Sequence, residues 1–452
     1  MIRVTTSIAL RARIVATGGG IIAACLWAPS VFAADIGIGS TCCADLEDRI
    51  AELEATVAGT GNRKVSLVVA GYLHSALMVW DDGFEDNVYV TGASNDSIDQ
   101  TSFQFSGDAQ ITPDWSAGFH ITVRVNTALS GEVSQIDDDA GDEPLTLWEA
   151  YWYAAHDQLG QLSVGQASRA SDGAPEVDLS GTRAAAFSGA QSIGGGFFLR
   201  GSDGALSELS YGDLITHLNG DTANVIRYDT PSFGGFTLSA SYGEDDIWDA
   251  ALGYEAKSPV FEVGASLAYS EISDTGGLGG DEDEIDSSTV VGSIAILHPP
   301  SGLNALIAAG HRSFDQTVID TDGVLRTPSD TFFVYGKLGL IAKWSALGQT
   351  AFYGEYGRFE DFATAGTDAD IVASLAESGV CSGAGNCRIG GGKTDVLGFG
   401  VVQNLDPAAM QVYVGYRRYE TDLDLVDRNG LQVPAGDIED LHTVMIGSII
   451  AF

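Results

Sequence analysis

The sequence is poor in positive charge: 22 lysines and arginines stand against 62 aspartates and glutamates, a net charge of −40. That balance argues against nucleic acid as a partner, because binding to a phosphate backbone depends on basic neutralisation. The seven histidines (His74, His120, His156, His217, His298, His311 and His442) are scattered, and none stands in a hydrolase motif or at metal-ligand spacing with cysteine. No catalytic residue, metal or cofactor is therefore expected. Glycine runs such as Gly194-Gly195-Gly196 lack the strand-to-helix setting of a phosphate loop. Beyond residue 33, no stretch reaches the roughly 20 apolar residues of a membrane helix.

The amino terminus reads as an export signal. Arg3, Arg11 and Arg13 form its charged end, Ile14 to Trp27 its apolar stretch, and Val31-Phe32-Ala33 a small-residue cleavage site, giving a leader over 1–33. Ile22-Ala23-Ala24-Cys25 also fits a lipoprotein box, but the apolar run continues past it to the better site. The leader takes three arginines and no acid, so the remainder is more acidic still. An exported chain without a membrane helix is soluble in the periplasm, secreted, or a barrel.

From Lys64 onward the chain repeats about ten residues of alternating apolar and small or polar side chains, then breaks. Phe236, Leu238, Ala240 and Tyr242 interleave with Thr237, Ser239 and Ser241. Successive side chains of a strand point to opposite faces, so each segment is apolar on one side and wet on the other. Sixteen such strands can be drawn, from Lys64–Trp80 to Leu441–Phe452, with Lys393–Asn404 and Pro407–Glu420 as the last but two and last but one. The fold class expected is all-β: a 16-stranded antiparallel transmembrane β-barrel over 64–452. Alternate breaks are short turns rich in Pro, Gly, Asp and Ser, and most of the others are long acidic loops. A soluble sandwich has no reason to sort loop lengths by side. Trp80 and Trp248 fall at one set of strand ends, Trp115 and Trp344 at the other, where rings would sit among lipid headgroups. The terminal Phe452 shares a face with Val444, Ile446 and Ile450, and resembles the signal recognised by the barrel-assembly machinery.

Before the barrel, 34–63 holds a short periplasmic coil in which Leu46, Ile50, Leu53 and Val57 are spaced four, three and four. Two heptads need partners to be stable, from sister subunits or a surface. Cys381 and Cys387 bracket a short flexible span that a disulfide would close. Cys42 and Cys43 face the opposite side of the membrane in this topology, as free thiols or bonded between subunits.

The longest break, 168–222, is the third outer loop. A sixteen-strand lumen is too wide to sieve small solutes, and this loop is long enough to fold inward and narrow it. Its acids Asp172, Glu176, Asp178, Asp203, Glu208 and Asp213 are the candidate constriction. Alternation turns Arg124, Arg227, Lys337, Lys343 and Arg417 to the inner wall, where they would set a transverse field against the loop acids. The plainer reading has these bases pairing with lumen carboxylates to stiffen the wall.

Several stretches resemble the alphaproteobacterial porins of the rhizobial type. They are Cys42 to Glu54 with Asn62 to Leu67, Trp80-Asp81-Asp82-Gly83 with Asn87 to Val90, Ile111 to Gly118, and Glu176-Val177-Asp178-Leu179-Ser180-Gly181-Thr182. The resemblance covers the sequence beyond the leader. It implies a homotrimeric general-diffusion channel in the outer membrane, with an inward third loop and small hydrophilic solutes as cargo. Acidic mouths predict a cation preference, and acidic outer loops could hold divalent cations that bridge lipopolysaccharide. The competing functions are a substrate-specific channel, an envelope tether acting through the coil, and an outer-membrane enzyme.

Overall fold

The computed structural model describes residues 65–452 except 93–99, 141–143, 244–245, 274–285, 316–317, 320–324, 365–368, 382–386 and 428–429. The expected leader, the coil, and Cys42 and Cys43 lie outside the described residues.

Sixteen staves close on themselves, numbered here in chain order. They are β1 (Val68–Asp81), β2 (Ser102–Thr112), β3 (Trp115–Val125), β4 (Leu145–His156), β5 (Gly160–Ser168), β6 (Thr222–Asp229), β7 (Phe236–Gly243) and β8 (Trp248–Lys257). Then follow β9 (Glu262–Ile272), β10 (Ser287–His298), β11 (Leu303–Phe314), β12 (Thr331–Ser345), β13 (Gly348–Glu360), β14 (Arg388–Leu405), β15 (Met410–Val426) and β16 (Leu441–Ala451). Each stave pairs antiparallel with its chain neighbour. The ring closes where β16 pairs β1, Leu77 opposite Ile446, while the other edge of β1 takes β2. Two short strands lean on this ring: Asp86–Gly92 on the upper part of β1, and Gln432–Val433 on β15.

Period-two alternation carries the fold. On β16, Leu441, Thr443, Met445, Gly447 and Ile449 are buried inward, while Ile446 is exposed outward. A closed ring leaves no free sheet edge in lipid, so the staves satisfy their backbone polar groups on one another. Turns such as Pro299–Gly302 are tight: Gly302 has φ +73°, and a Cβ there would collide with the carbonyl of Ile341.

Two expectations are corrected. Trp80 is not at the lipid headgroups; it points inward, 2% exposed, against Phe197 at 5.0 Å and Tyr89 at 5.6 Å. It sits on the same inward row as His74, Ala76 and Met78, so alternation overrides its aromatic character. β14 begins five residues before the expected Lys393, and β15 runs six past Glu420. Asp422 and Asp424 look like loop acids, yet they alternate with buried Leu423 and Leu425, so the pair continues as a ribbon above the barrel.

The interior is filled rather than open. Phe197, Leu199, Leu209, Tyr211 and Ile215 of the third loop pack with Met78, Trp80, Phe333, Tyr335 and Phe359 of the wall. The main apolar core of this barrel is the loop inside it.

Candidate pore constriction

The loop between β5 and β6 enters the lumen because polar groups on the wall bind its backbone. At its root, Asp249 of β8 accepts from the backbone N–H of Ala170 at 3.2 Å and of Ser171 at 3.0 Å, from the Ser171 hydroxyl at 2.5 Å, and from the Ser241 hydroxyl. A buried carboxylate needs such donors to offset its lost hydration. Beside it, Arg227 of β6 pairs with Asp229 at 2.9 Å and donates to the carbonyls of Ser168 and Arg169, each at 3.0 Å.

Further along, the loop runs across β10 and β12. Ser293 donates to the carbonyl of Ala174 at 2.6 Å and accepts from the N–H of Val177 at 3.1 Å. Lys337 reaches from β12 to Asp178 at 2.6 Å, Thr182 at 3.0 Å and the carbonyl of Ala186 at 2.7 Å. Next, Arg417 of β15 pairs with Glu355 of β13 at 2.7 Å and donates to the carbonyl of Ala190 at 3.1 Å. Glu355 also accepts from Tyr335 at 2.6 Å. Tyr419 donates to the carbonyl of Ile193.

Within the loop, Glu176 is buried between Arg183, which is ion-paired to it, and His217, whose Nε2 donates at 2.7 Å. Burial alone would raise this carboxyl, but the His217 hydrogen bond and the Arg183 charge win and hold it at about 2. Burial likewise opposes ionisation of Asp178, and Lys337 reverses the sign, leaving it below the usual range. Asp172 goes the other way. Its hydrogen bond from Asn219 at 2.7 Å does not offset burial, so it is raised.

A cavity of about 950 Å³ remains between the loop and the wall of β2, β3 and β4. From the wall it is lined by Ser102, Gln104, Thr122, Arg124, Trp148 and Glu149, and also by Ala223, Ile272, Ser287 and Arg312 of β6 and β9 to β11; from the loop, by Asp172, Glu176, Asp213 and His217 among others. Glu132, Asp221, Arg169 and Arg312 add further charge. His120 pairs with Glu149 at 3.3 Å, and the Arg124 guanidinium lies 3.3 Å over the Trp148 ring.

The sequence-derived candidates therefore divide. Asp172, Glu176 and Asp213 border the open cavity, and Asp213 also closes a capping box with Ser210 on the short helix α1 (Tyr211–Leu214). Asp178 is buried in the staple to Lys337. Asp203 and Glu208 are exposed on the loop's hairpin of Phe198–Arg200 and Leu206–Ser210, away from the cavity lining. Of the bases, Arg124 borders the cavity and Arg227 sits at the loop root. Lys337 and Arg417 lie beneath the loop, and Lys343 is exposed at the turn end of β12 beside a register shift. Sequence reasoning missed Asp249, Glu355 and Trp148. The first two are acids on inward strand positions, a readable signal; Trp148 is not readable from alternation.

Above the cavity, the loop hairpin is clamped from two sides. Arg200 pairs with Asp82 at 2.7 Å and Glu85 at 3.0 Å. Helix α2 (Ala369–Glu377) meets the hairpin through Ser374, which accepts from the N–H of Glu208 at 2.8 Å. A Cys381–Cys387 disulfide follows that helix, and Cys381 forms an isolated bridge to Ala435.

A closed antiparallel barrel with its lumen narrowed by an inserted loop defines an outer-membrane channel. The sequence model of the Gram-negative porin family matches residues 23–424, and the chain belongs to that family. It is an outer-membrane porin. The structure is similar to the anion-selective porin from Comamonas acidovorans, at TM-score 0.50 and 14% identity over 86% of this chain and 100% of that one. It also resembles OmpT, an outer membrane protein of Vibrio cholerae, at TM-score 0.49 and 11% identity over 87% of this chain and 99% of that one. A trimer form of OmpT matches at TM-score 0.49 and 12% identity, over 86% of this chain and 99% of that one. No curated protein matches the sequence.

Proposed function

We propose that this porin is a general-diffusion channel for small hydrophilic solutes with a preference for cations. The observation that carries the reading is the charge around the open cavity. Leaving aside Glu176, which Arg183 pairs, Glu132, Glu149, Asp172, Asp213 and Asp221 border it against Arg124, Arg169 and Arg312, in a chain of net charge −40. Field lines focused in a low-dielectric bore concentrate the counter-ion, here the cation. Lys337 and Arg417, which would have opposed this, are spent on holding the loop.

The transverse field is narrower than composition alone implies. Arg124 and Arg312 are the wall bases that border the cavity with the loop acids, and Glu149 lies beside Arg124. The channel is expected to work as a homotrimer in the outer membrane, contacting lipid and lipopolysaccharide. It would be delivered by a leader cleaved after residue 33 and recognised for assembly through Phe452. The resemblance of its sequence motifs to rhizobial-type porins supports the trimer; a single SDS-resistant band that heat converts to one-third of its mass would show it.

The deciding experiment is the reversal potential of the purified protein in a potassium chloride gradient across a planar bilayer. Cation preference is the expected result, and a clear anion preference overturns the reading.

A further inference from the structure

The wall opposite the loop carries an irregularity beside the cavity. Between the pairs Thr122 with Glu149 and Val123 with Leu147, β4 carries one residue more than β3, and Trp148 is that residue. A bulge breaks the alternation and re-aims a side chain, and bulges are enriched at functional sites. Here it turns two successive residues, Trp148 and Glu149, to the cavity, while Leu145 and Leu147 stay exposed outward. The indole is only half-buried. An aromatic ring with free surface in a water-filled, acid-lined bore favours one kind of visitor.

We propose that Trp148 and Glu149 form a binding subsite for organic cations, solutes that join an ammonium or guanidinium group to an aliphatic or planar body. The negative face of the indole attracts a cation, and its apolar surface covers a carbon skeleton that an inorganic ion lacks. The molecule already displays this chemistry: the Arg124 guanidinium lies 3.3 Å over the same ring. Glu149 supplies a carboxylate beside the platform, and Asp172 and Asp213 supply others on the loop side. Arg124 works against the visitor by covering part of the ring and repelling its charge. The subsite rests on the cation preference proposed above and names the solutes that benefit from it.

The test is block of the potassium current by agmatine, a guanidinium and an ammonium on a short carbon chain, with magnesium as a compact control of equal charge. Wild type should show saturable block by agmatine at concentrations where magnesium blocks weakly. Trp148→Leu should raise the half-blocking concentration by roughly tenfold, within the two- to thirtyfold range of such contacts, and Trp148→Phe should keep most of the block. Arg124→Ala should strengthen block, and opposite signs from two touching residues cannot both come from a misfolded barrel. Equal block by magnesium and agmatine, or no change in Trp148→Leu, overturns the subsite. An anion-preferring reversal potential in unblocked wild type overturns instead the cation reading beneath it.

Discussion

Replacing Lys337 by methionine tests whether the third loop is held by buried charge. The Lys337 side chain is 0% exposed and its partner Asp178 5%, so neither can recover hydration in place. Removing one partner of such a pair leaves the other as an uncompensated buried charge, at a cost of about 3–5 kcal/mol. With tenfold for each 1.4 kcal/mol, the released state of the arm around Asp178 should become roughly two to four orders of magnitude more populated. The Asp249 and Arg417 anchors remain, so the arm should flicker rather than leave the lumen. Single-channel recording should show excess open-state noise and a lower closing voltage in Lys337→Met. Adding Asp178→Asn removes the stranded charge, and because apolar or neutral replacement of both partners is often nearly neutral, the double variant should be quieter than the single one. A single variant as quiet as wild type, or a double variant noisier than it, refutes the staple.

Other outcomes follow from the same geometry. Asp249→Ala strands the N–H of Ser171 and leaves that of Ala170 only its Ser241 acceptor, at about 1–3 kcal/mol for the stranded group, and should open the loop root to proteolysis that wild type resists. Acid should act in two stages. Asp172, raised by burial above 3.8, loses its charge first, so the reversal potential should weaken while the arm is still closed. Glu176, held at about 2 against an ordinary 4.5, stabilises the arm fully above 4.5, and that support fades as the pH falls towards 2; noise rising before selectivity falls would contradict this order. Breaking the Cys381–Cys387 bond with paired serines releases a short loop worth about 2 kcal/mol, and should expose the segment between α2 and β14 to protease without changing the barrel's resistance to heat.

The barrel was legible because its two solvents differ: oil outside and water inside impose a period of two on every stave. Ser287–His298 can be drawn to the residue on that ground alone. The ribbon of β14 and β15 escaped, because Asp422 and Asp424 advertise a loop while the alternating Leu423 and Leu425 are buried in the same apolar cluster as Phe362, Ala363 and Ile389. Trp80 was misplaced because an indole suits headgroups as well as it suits Phe197. Inward bases were equally readable, but not their duties. Arg124, Lys337 and Arg417 share one pattern, and only the path of the loop decides that two are staples while the first borders the bore. Trp148 depends on a single extra residue in β4, which shifts register without leaving a mark in composition.

The loop is fastened along the arc from β6 to β15, while β2, β3 and β4 border its gap with six side chains, so passage is eccentric. That asymmetry divides labour around the circumference. Substitutions along the covered arc are answered in stability, because they strand buried partners. Those along the opposite crescent alter which solute crosses while the loop's fastenings stay untouched. A designer, or natural selection, can retune permeation on three staves without reopening the question of how the barrel holds together.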